Sequence, residues 1–175
     1  MRKLIISFLL LTTGILAQSI KDDVENAIRD CFGNGVKIQQ EKVTLKNYGK
    51  TEIEKEVGQK FYSDEVYFYK IYNQEKIKGY AILDNVYGKS LPITFLVVFD
   101  SSSNIKCTEI IRYREPYGGA IQNKEWNDQF TNKNIQSEFK VGKDVYNISG
   151  ATISVNSVTK GIKKLTILIN RLLKK

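Results

Sequence analysis

The chain contains the unbroken apolar run Phe95-Leu96-Val97-Val98-Phe99, and this stretch decides the fold class. A strand without polar alternation is typical of the centre of a sheet that is covered on both faces. Pro92 precedes this strand, which we predict over residues 93–99. The polar segment 100–104 then turns the chain into a second strand over 105–113. The sequence therefore predicts an antiparallel hairpin in the middle of the domain.

A second hairpin is predicted just before the first. Residues 66–72 are rich in strand formers, residues 73–76 form a polar turn, and residues 77–86 return as the partner strand. A short strand containing Val36 and Ile38 is expected further upstream.

Apolar residues at helical spacing predict three helices around these hairpins. The first covers residues 20–31, with Ser19 as its N-cap and Gly33-Asn34-Gly35 as its end, and the second covers 51–61. The third is long and begins at Ser154, with apolar positions Val155, Val158, Ile162, Leu165, Ile169 and Leu172. We expect an α+β fold, in which an antiparallel sheet of two hairpins packs with N-terminal helices and a long C-terminal helix.

The N-terminus resembles a secretory leader. Met1-Arg2-Lys3 is followed by 14 uncharged residues, 4–17. This predicts a leader over 1–17 and a single domain over 18–175, exported to the periplasm or to the extracytoplasmic face of a membrane. Cleavage after Ala17 or after Ser19 would fit the pattern. An uncleaved leader acting as an anchor is the alternative, although the run is shorter than the roughly 20 residues of a membrane-spanning helix.

Composition excludes several classes of site. The 27 basic residues exceed the 19 acidic ones, but they are spread along the chain, which favours an ordinary solvated surface over nucleic-acid binding. The chain has no histidine, so histidine-dependent triads, histidine zinc sites and the usual haem attachment motif are excluded. Cys31 and Cys107 lack metal-ligand spacing. A disulfide is open to an exported protein, but we expect two small buried, unbonded residues.

The segment Ser149-Gly150-Ala151-Thr152 is the leading candidate for a functional site. It places the hydroxyl of Thr152 beside the start of the last helix, where unpaired N–H groups and the positive end of the helix dipole favour a phosphate. That phosphate could be carried by a bound ligand or bonded to Thr152 itself.

Two further segments upstream could contact a ligand. The adjacent glycines Gly118 and Gly119 allow either a close approach of backbone to a ligand or simply a tight turn. Trp126 and Phe130 lie four residues apart on one face of a short predicted helix. Phe130 is expected in the core, whereas Trp126 either fills the core or forms a wall against a flat ligand.

Segments 113–119, 126–130 and 149–152 follow one another in this order along the chain, and together they resemble the FMN-binding domain family. That family includes the flavin-carrying subunits of the Rnf and sodium-pumping quinone oxidoreductase complexes. The resemblance runs from about Lys78 to the C-terminus. It implies that Thr152 bonds through its hydroxyl to the phosphate of FMN, and that a separate flavin transferase takes this FMN from FAD with magnesium. The cofactor-binding residues implied are Ser149, Gly150, Ala151, Thr152, Glu115, Tyr117, Gly118 and Trp126.

Two positions depart from the family pattern. The family often has an acidic residue three positions before the motif serine, where this chain has Tyr146, and the nearest preceding carboxylate belongs to Asp144. If the transferase requires that carboxylate, FMN binds without a covalent bond. In addition, the loop Glu115-Pro116-Tyr117-Gly118 lacks the threonine common in the family.

The resemblance and the residues together favour an exported flavoprotein that transfers electrons between redox partners. Without a histidine or an acid–base pair, an electron carrier is a better interpretation than an enzyme with its own substrate. The alternatives are a secreted binding or interaction module without flavin, and a flavin reductase. The expected partners are a flavin transferase and unidentified redox proteins, but no nucleic acid. The lysines of the C-terminal helix either face water or contact a membrane surface.

Overall fold

The computed structural model describes residues 20–174. This part of the chain contains four α-helices and five strands in an α+β arrangement, with four of the strands consecutive in sequence. The helices are α1, which includes residues 20–32, α2 (Lys50–Val57), α3 (Lys124–Asp128) and α4 (Thr152–Leu173). The strands are β1 (Lys37–Thr44), β2 (Glu65–Asn73), β3 (Lys76–Tyr87), β4 (Pro92–Asp100) and β5 (Ile105–Arg112).

The strands form one antiparallel sheet in the order β1-β2-β3-β4-β5, so every strand pairs with its neighbour in sequence. Both predicted hairpins are confirmed, with Tyr67 opposite Leu83 in one and Phe95 opposite Ile110 in the other. The short strand expected near residue 36 is in fact a full edge strand, β1, which pairs with β2 along its length. Its mostly polar, exposed residues gave little apolar periodicity from which to predict that length.

The central strand β4 is covered on both faces, as its apolar run predicts. Phe95, Val97 and Phe99 join the cluster under α4, whereas Leu96 and Val98 join the cluster under α1. Fully burying a side chain of this size stabilises the fold by about 1.5–3 kcal/mol. The two helices therefore sandwich the sheet, and the first of them lies on the face opposite to α4.

Helix α4 approaches β4 closely because a glycine lies at the contact. A Cβ added to Gly161 would lie 2.7 Å from the ring of Phe95. The close contact fixes the position of α4 along the sheet, and with it the position of its first turn.

Helix α2 is shorter than predicted. It ends at Val57 because Gly58 adopts a left-handed conformation (φ 66°) and its N–H bonds to Glu54 O. Phe61 lies beyond the helix but is still buried in the cluster under α4, so the apolar spacing was correct while the helix end was not.

Cys31 of α1 and Cys107 of β5 form a disulfide, with Cα atoms 6.4 Å apart. The expectation of two unbonded cysteines is therefore wrong. Packing of α1 across the sheet brings together two residues that are 76 positions apart, and nothing in their spacing indicated this. The predicted leader and the Ser19 cap lie outside the described residues. Within residues 20–174, no helix combines the length and apolarity needed to cross a membrane.

A charged pair lies between β3 and α4. Lys164 Nζ is 3.2 Å from Asp84 Oδ2, donates a hydrogen bond to Lys60 O and lies 4.3 Å from the centre of the Phe61 ring. Burial raises the pKa of Asp84, against the opposing effect of the lysine, and burial lowers the pKa of Lys164. Each charge is tolerated in the core because the other one is present.

Candidate functional site

Helix α4 begins at Thr152, two residues earlier than predicted, with Ala151 as its N-cap. The first helical hydrogen bond runs from Val155 N to Ala151 O, so the N–H groups of residues 152–154 have no acceptor within the helix. No side chain caps this end and no acidic residue occupies the first turn. Ser154, which we expected to open the helix, lies inside that turn. The start of α4 therefore retains the donors and the positive dipole that an anion requires.

The hydroxyl of Thr152 is accessible. The residue is exposed, and the polar contact to its Oγ1 is a long one of 3.4 Å from Asn147 Nδ2. Gly150, two residues before it, has a φ of +78° and would meet no atom within 4 Å if it carried a Cβ. The space beside Gly150 is therefore open.

Thr152 lines a pocket of about 410 Å³. The pocket is formed by the turn between β3 and β4, by the loop after β5 and by the start of α4. Its lining residues are Lys89, Ser90, Glu115, Pro116, Tyr117, Gly150, Ala151, Thr152, Ile153 and Ser154. Five of the residues predicted to bind a cofactor thus line one pocket, and the volume lies within the usual range for small-molecule sites. Ser149 is exposed beside the pocket but does not line it.

Gly118 joins the glycine loop to the helix start. Its φ of +80° favours glycine, and an added Cβ would lie 2.8 Å from Tyr113 Oη and 3.2 Å from Ala151 Cβ. The two roles weighed for this glycine, a turn and a close approach, therefore both apply. The close approach is to the Ser-Gly-Ala-Thr segment itself.

Tyr113 is a site residue that the sequence analysis did not assign. Its hydroxyl donates a hydrogen bond to Tyr117 O and lies 3.1 Å from Ser154 Oγ, so it connects the glycine loop to the first turn of α4. In the sequence, Tyr113 ends a predicted strand and begins the segment 113–119 that resembles the family, but neither feature predicts a role for its hydroxyl. Its position next to the loop was the available signal, but no spacing rule distinguishes such a residue from an ordinary strand residue.

Glu115 shapes the pocket through the neighbouring turn. Its Oε1 accepts hydrogen bonds from Leu91 N (2.9 Å) and Ser90 N (2.6 Å), which lower the pKa of this carboxyl group. The carboxylate is thus occupied in holding the β3–β4 turn beside the glycine loop. The positive charge of Lys89, in the same turn, lies on the pocket wall.

The pocket also has an apolar side. Pro116, Ala151 and Ile153 line it, and Tyr117, whose side chain is 82% exposed, stands at its edge. A ligand with an anionic end and a flat apolar end matches this division of the walls.

Trp126 does not line this pocket. It is 5% exposed, packs edge-on against Phe130 at 5.2 Å between ring centres, and donates from Nε1 to Tyr146 O. Gln129 Oε1 accepts a hydrogen bond from Tyr146 N. The predicted core role of Phe130 is confirmed, and the contacts of Trp126 hold the segment that leads into the motif.

Asp144 does not supply a free carboxylate near Thr152. It accepts hydrogen bonds from Lys140 N, Phe139 N and Lys133 Nζ at 2.6, 3.1 and 3.0 Å. Burial alone would raise the pKa of this group, but these bonds outweigh burial and lower it. The acidic position of the family, occupied here by Tyr146, is therefore not replaced by this neighbouring residue.

Residues 88–166 match the family model of the FMN-binding domain. This segment of the chain therefore resembles the FMN-binding domain family. The matched segment runs from the turn after β3 through the glycine loop to most of α4, so it includes the whole pocket around Thr152. The resemblance stated from the motifs is thereby confirmed, and it supports a flavin-binding role. Comparison with curated proteins finds no match.

Proposed function

We propose that this FMN-binding domain carries FMN bonded through its phosphate to Thr152 and transfers electrons between redox partners outside the cytoplasm. The observation that carries the proposal is the exposed hydroxyl of Thr152 at the uncapped start of α4, on the wall of the 410 Å³ pocket.

The residues present fit FMN. Free N–H groups at the start of α4, together with Lys89, would hold the phosphate, because donors and positive charge at a helix start stabilise an anion. Gly150 leaves room for the ribityl chain. Pro116, Tyr117 and Ile153 offer an apolar wall for the ring. FMN supplies reversible electron transfer when bound, and the protein supplies attachment, orientation and donors.

Attachment requires that the Thr152 hydroxyl reach a flavin transferase. In the proposed reaction, Thr152 Oγ1 forms a bond to the phosphorus of the flavin phosphate of FAD, the pyrophosphate bond breaks and AMP leaves. The hydroxyl proton passes to a base on the transferase. Thr152 is exposed and lies in the first turn of a helix whose position is fixed by packing, which suits a residue modified by another protein.

Two observations support export. The first residues have the pattern of a secretory leader, and the Cys31–Cys107 disulfide is a type of bond that persists in oxidising compartments. We therefore propose that the domain works in the periplasm or on the extracytoplasmic face of a membrane.

The proposal is tested by expressing the chain with its leader and a flavin transferase, then precipitating the purified protein with acid. Yellow colour should stay with the wild-type pellet and be absent from the pellet of Thr152→Ala. Ser149→Ala is the matched control, because it removes a neighbouring exposed hydroxyl of the same motif and should retain the colour. Colour in the Thr152→Ala pellet would refute the assignment of the attachment residue, and colour released to the supernatant by the wild type would refute the covalent bond.

A further inference from the structure

We propose that a second cleft, separate from the pocket at Thr152, binds a planar aromatic molecule that bears a carboxylate or a similar anionic group. This cleft, the Arg114 cleft, has a volume of about 510 Å³. The lining residues that matter here are Tyr62, Tyr67, Asn85, Thr94 and Arg114. It lies beside Ile20, at the first described residue of α1.

Arg114 is held in place at this cleft. Its Nη1 donates to Pro92 O and to Thr94 Oγ1, each at 3.1 Å, and Thr94 Oγ1 donates to Asn85 Oδ1 at 2.7 Å. Thr94 is buried, so this chain of hydrogen bonds is anchored in the sheet. A guanidinium fixed in this way loses little further conformational freedom when it binds a carboxylate.

Two side chains of the cleft have donor groups that a ligand could use. Asn85 uses Oδ1 to accept from Thr94, which leaves its Nδ2 group without a hydrogen-bond partner among residues 20–174. The guanidinium of Arg114 adds further donors beside it. A ligand that presents acceptor oxygens to this side of the cleft would satisfy both groups.

Four charged residues line the cleft, and three of them have a partner of opposite charge. Lys42 pairs with Glu65 at 3.6 Å, and Asp84 pairs with Lys164 at 3.2 Å. Arg114, by contrast, has no acidic partner within the described part of the chain. The Arg114 cleft is therefore suited to an anion.

Two tyrosine rings provide the aromatic contact. Tyr62 and Tyr67 are 45% and 39% exposed, so each can bury further surface against a ligand. The Tyr62 ring lies 5.4 Å from that of Tyr87, and the two hydroxyl groups are hydrogen-bonded, which raises the pKa of Tyr62. Aromatic faces beside a fixed guanidinium distinguish a planar aromatic anion from a small inorganic one.

The Arg114 cleft and the flavin pocket are lined by neighbouring residues of one loop, since Arg114 lines the first and Glu115 the second. Ligand binding at the cleft does not require FMN, so the test uses protein with the Thr152→Ala substitution. Its outcome is then independent of whether the proposed function holds.

The experiment is calorimetric titration of this protein with naphthoate, and with naphthylmethanol as the uncharged probe of the same shape. Naphthoate should bind about tenfold or more tightly, the factor expected for one charge-assisted hydrogen bond. Arg114→Gln should remove that advantage and leave the affinity for naphthylmethanol unchanged. Tyr67→Ala should weaken both probes, and it keeps the test decisive should Arg114→Gln fail to fold. Lys160→Gln, an exposed charge on α4, is the control and should change neither affinity.

Three results would overturn the proposal. The first is absence of naphthoate binding, and the second is an equal affinity for naphthoate before and after Arg114→Gln. The third is a loss of naphthoate binding in Lys89→Gln, because Lys89 lines the flavin pocket and not the Arg114 cleft.

Discussion

Removing the Cys31–Cys107 disulfide should lower the free energy of unfolding by about 4.5 kcal/mol, on the chain-entropy model of a cross-link. The bond joins residues 76 positions apart, and a loop of that length is costly to close in the unfolded chain. It also links the residues of α1 to those of β5, so these two segments stay close to each other in the unfolded chain while the bond is intact. The perturbation is the double substitution Cys31→Ser/Cys107→Ser, which leaves no unpaired thiol.

The assay is urea denaturation at neutral pH, followed by circular dichroism, with thermal unfolding as a second measurement. A loss of this size should lower the melting temperature by about 10–15 °C in a domain of this length. Reduction of the wild-type protein should produce the same loss, whereas the reductant should leave the double variant unchanged. Helix α1 and α4 lie on opposite faces of the sheet, so FMN attachment at Thr152 should persist in the folded variant.

The entropic effect of this bond would be refuted by a double variant whose free energy of unfolding falls by less than about 1 kcal/mol, well below the usual range for native disulfides. It would also be refuted if the reductant destabilised the double variant as much as the wild type, since the effect would then not act through this bond.

Three further predictions concern the glycine loop, the buried pair and a titrating carboxylate. Gly118→Ala should reduce FMN attachment and stability more than Gly150→Ala. Both glycines have a positive φ, which costs an alanine about 1–2 kcal/mol of strain, but only at Gly118 would the added Cβ also collide with neighbouring atoms. Equal effects of the two substitutions in mass and denaturation measurements would contradict this prediction. Lys164→Met should cost about 3–5 kcal/mol in urea denaturation by leaving Asp84 buried and unpaired, and adding Asp84→Leu should restore much of it; a harmless single substitution would contradict this. Asp144→Asn should cost about 2 kcal/mol at pH 7. The pKa of Asp144 is lower in the folded protein than its ordinary value of 3.8, so the stability that this carboxylate contributes is present above pH 3.8 and is lost as the pH falls through the folded pKa. The difference in stability between Asp144→Asn and the wild type should therefore vanish on acidification. A difference that does not depend on pH would count against this prediction.

The sheet was largely predictable because its strands carry strong local signals. The apolar run 95–99 and the polar segment 100–104 determine a buried strand and its turn without reference to the rest of the chain. β1 and the disulfide were not predictable in the same way. The length of β1 depends on pairing with β2 rather than on its own polar residues, and the cysteines meet only through the packing of α1.

The candidate site shows the same division. Thr152 was assigned from local chemistry and from the family resemblance, and Glu115 and Tyr117 from the resemblance. The structure brings these three residues to one pocket, which Gly118 does not line. The sequence did not reveal that Tyr113 links the loop to α4, or that Trp126 holds the segment before the motif instead of lining the pocket. Both facts depend on contacts between residues far apart in the chain.

Mass spectrometry that localises a modification in the purified protein is the decisive experiment on Thr152. Trypsin should release residues 144–160 as one peptide, which contains Thr152 and Ser149. This peptide should carry the mass of one FMN less one water, and fragmentation should place the added mass on Thr152. An unmodified peptide from cells that contain a flavin transferase, or the added mass on another residue, would contradict it.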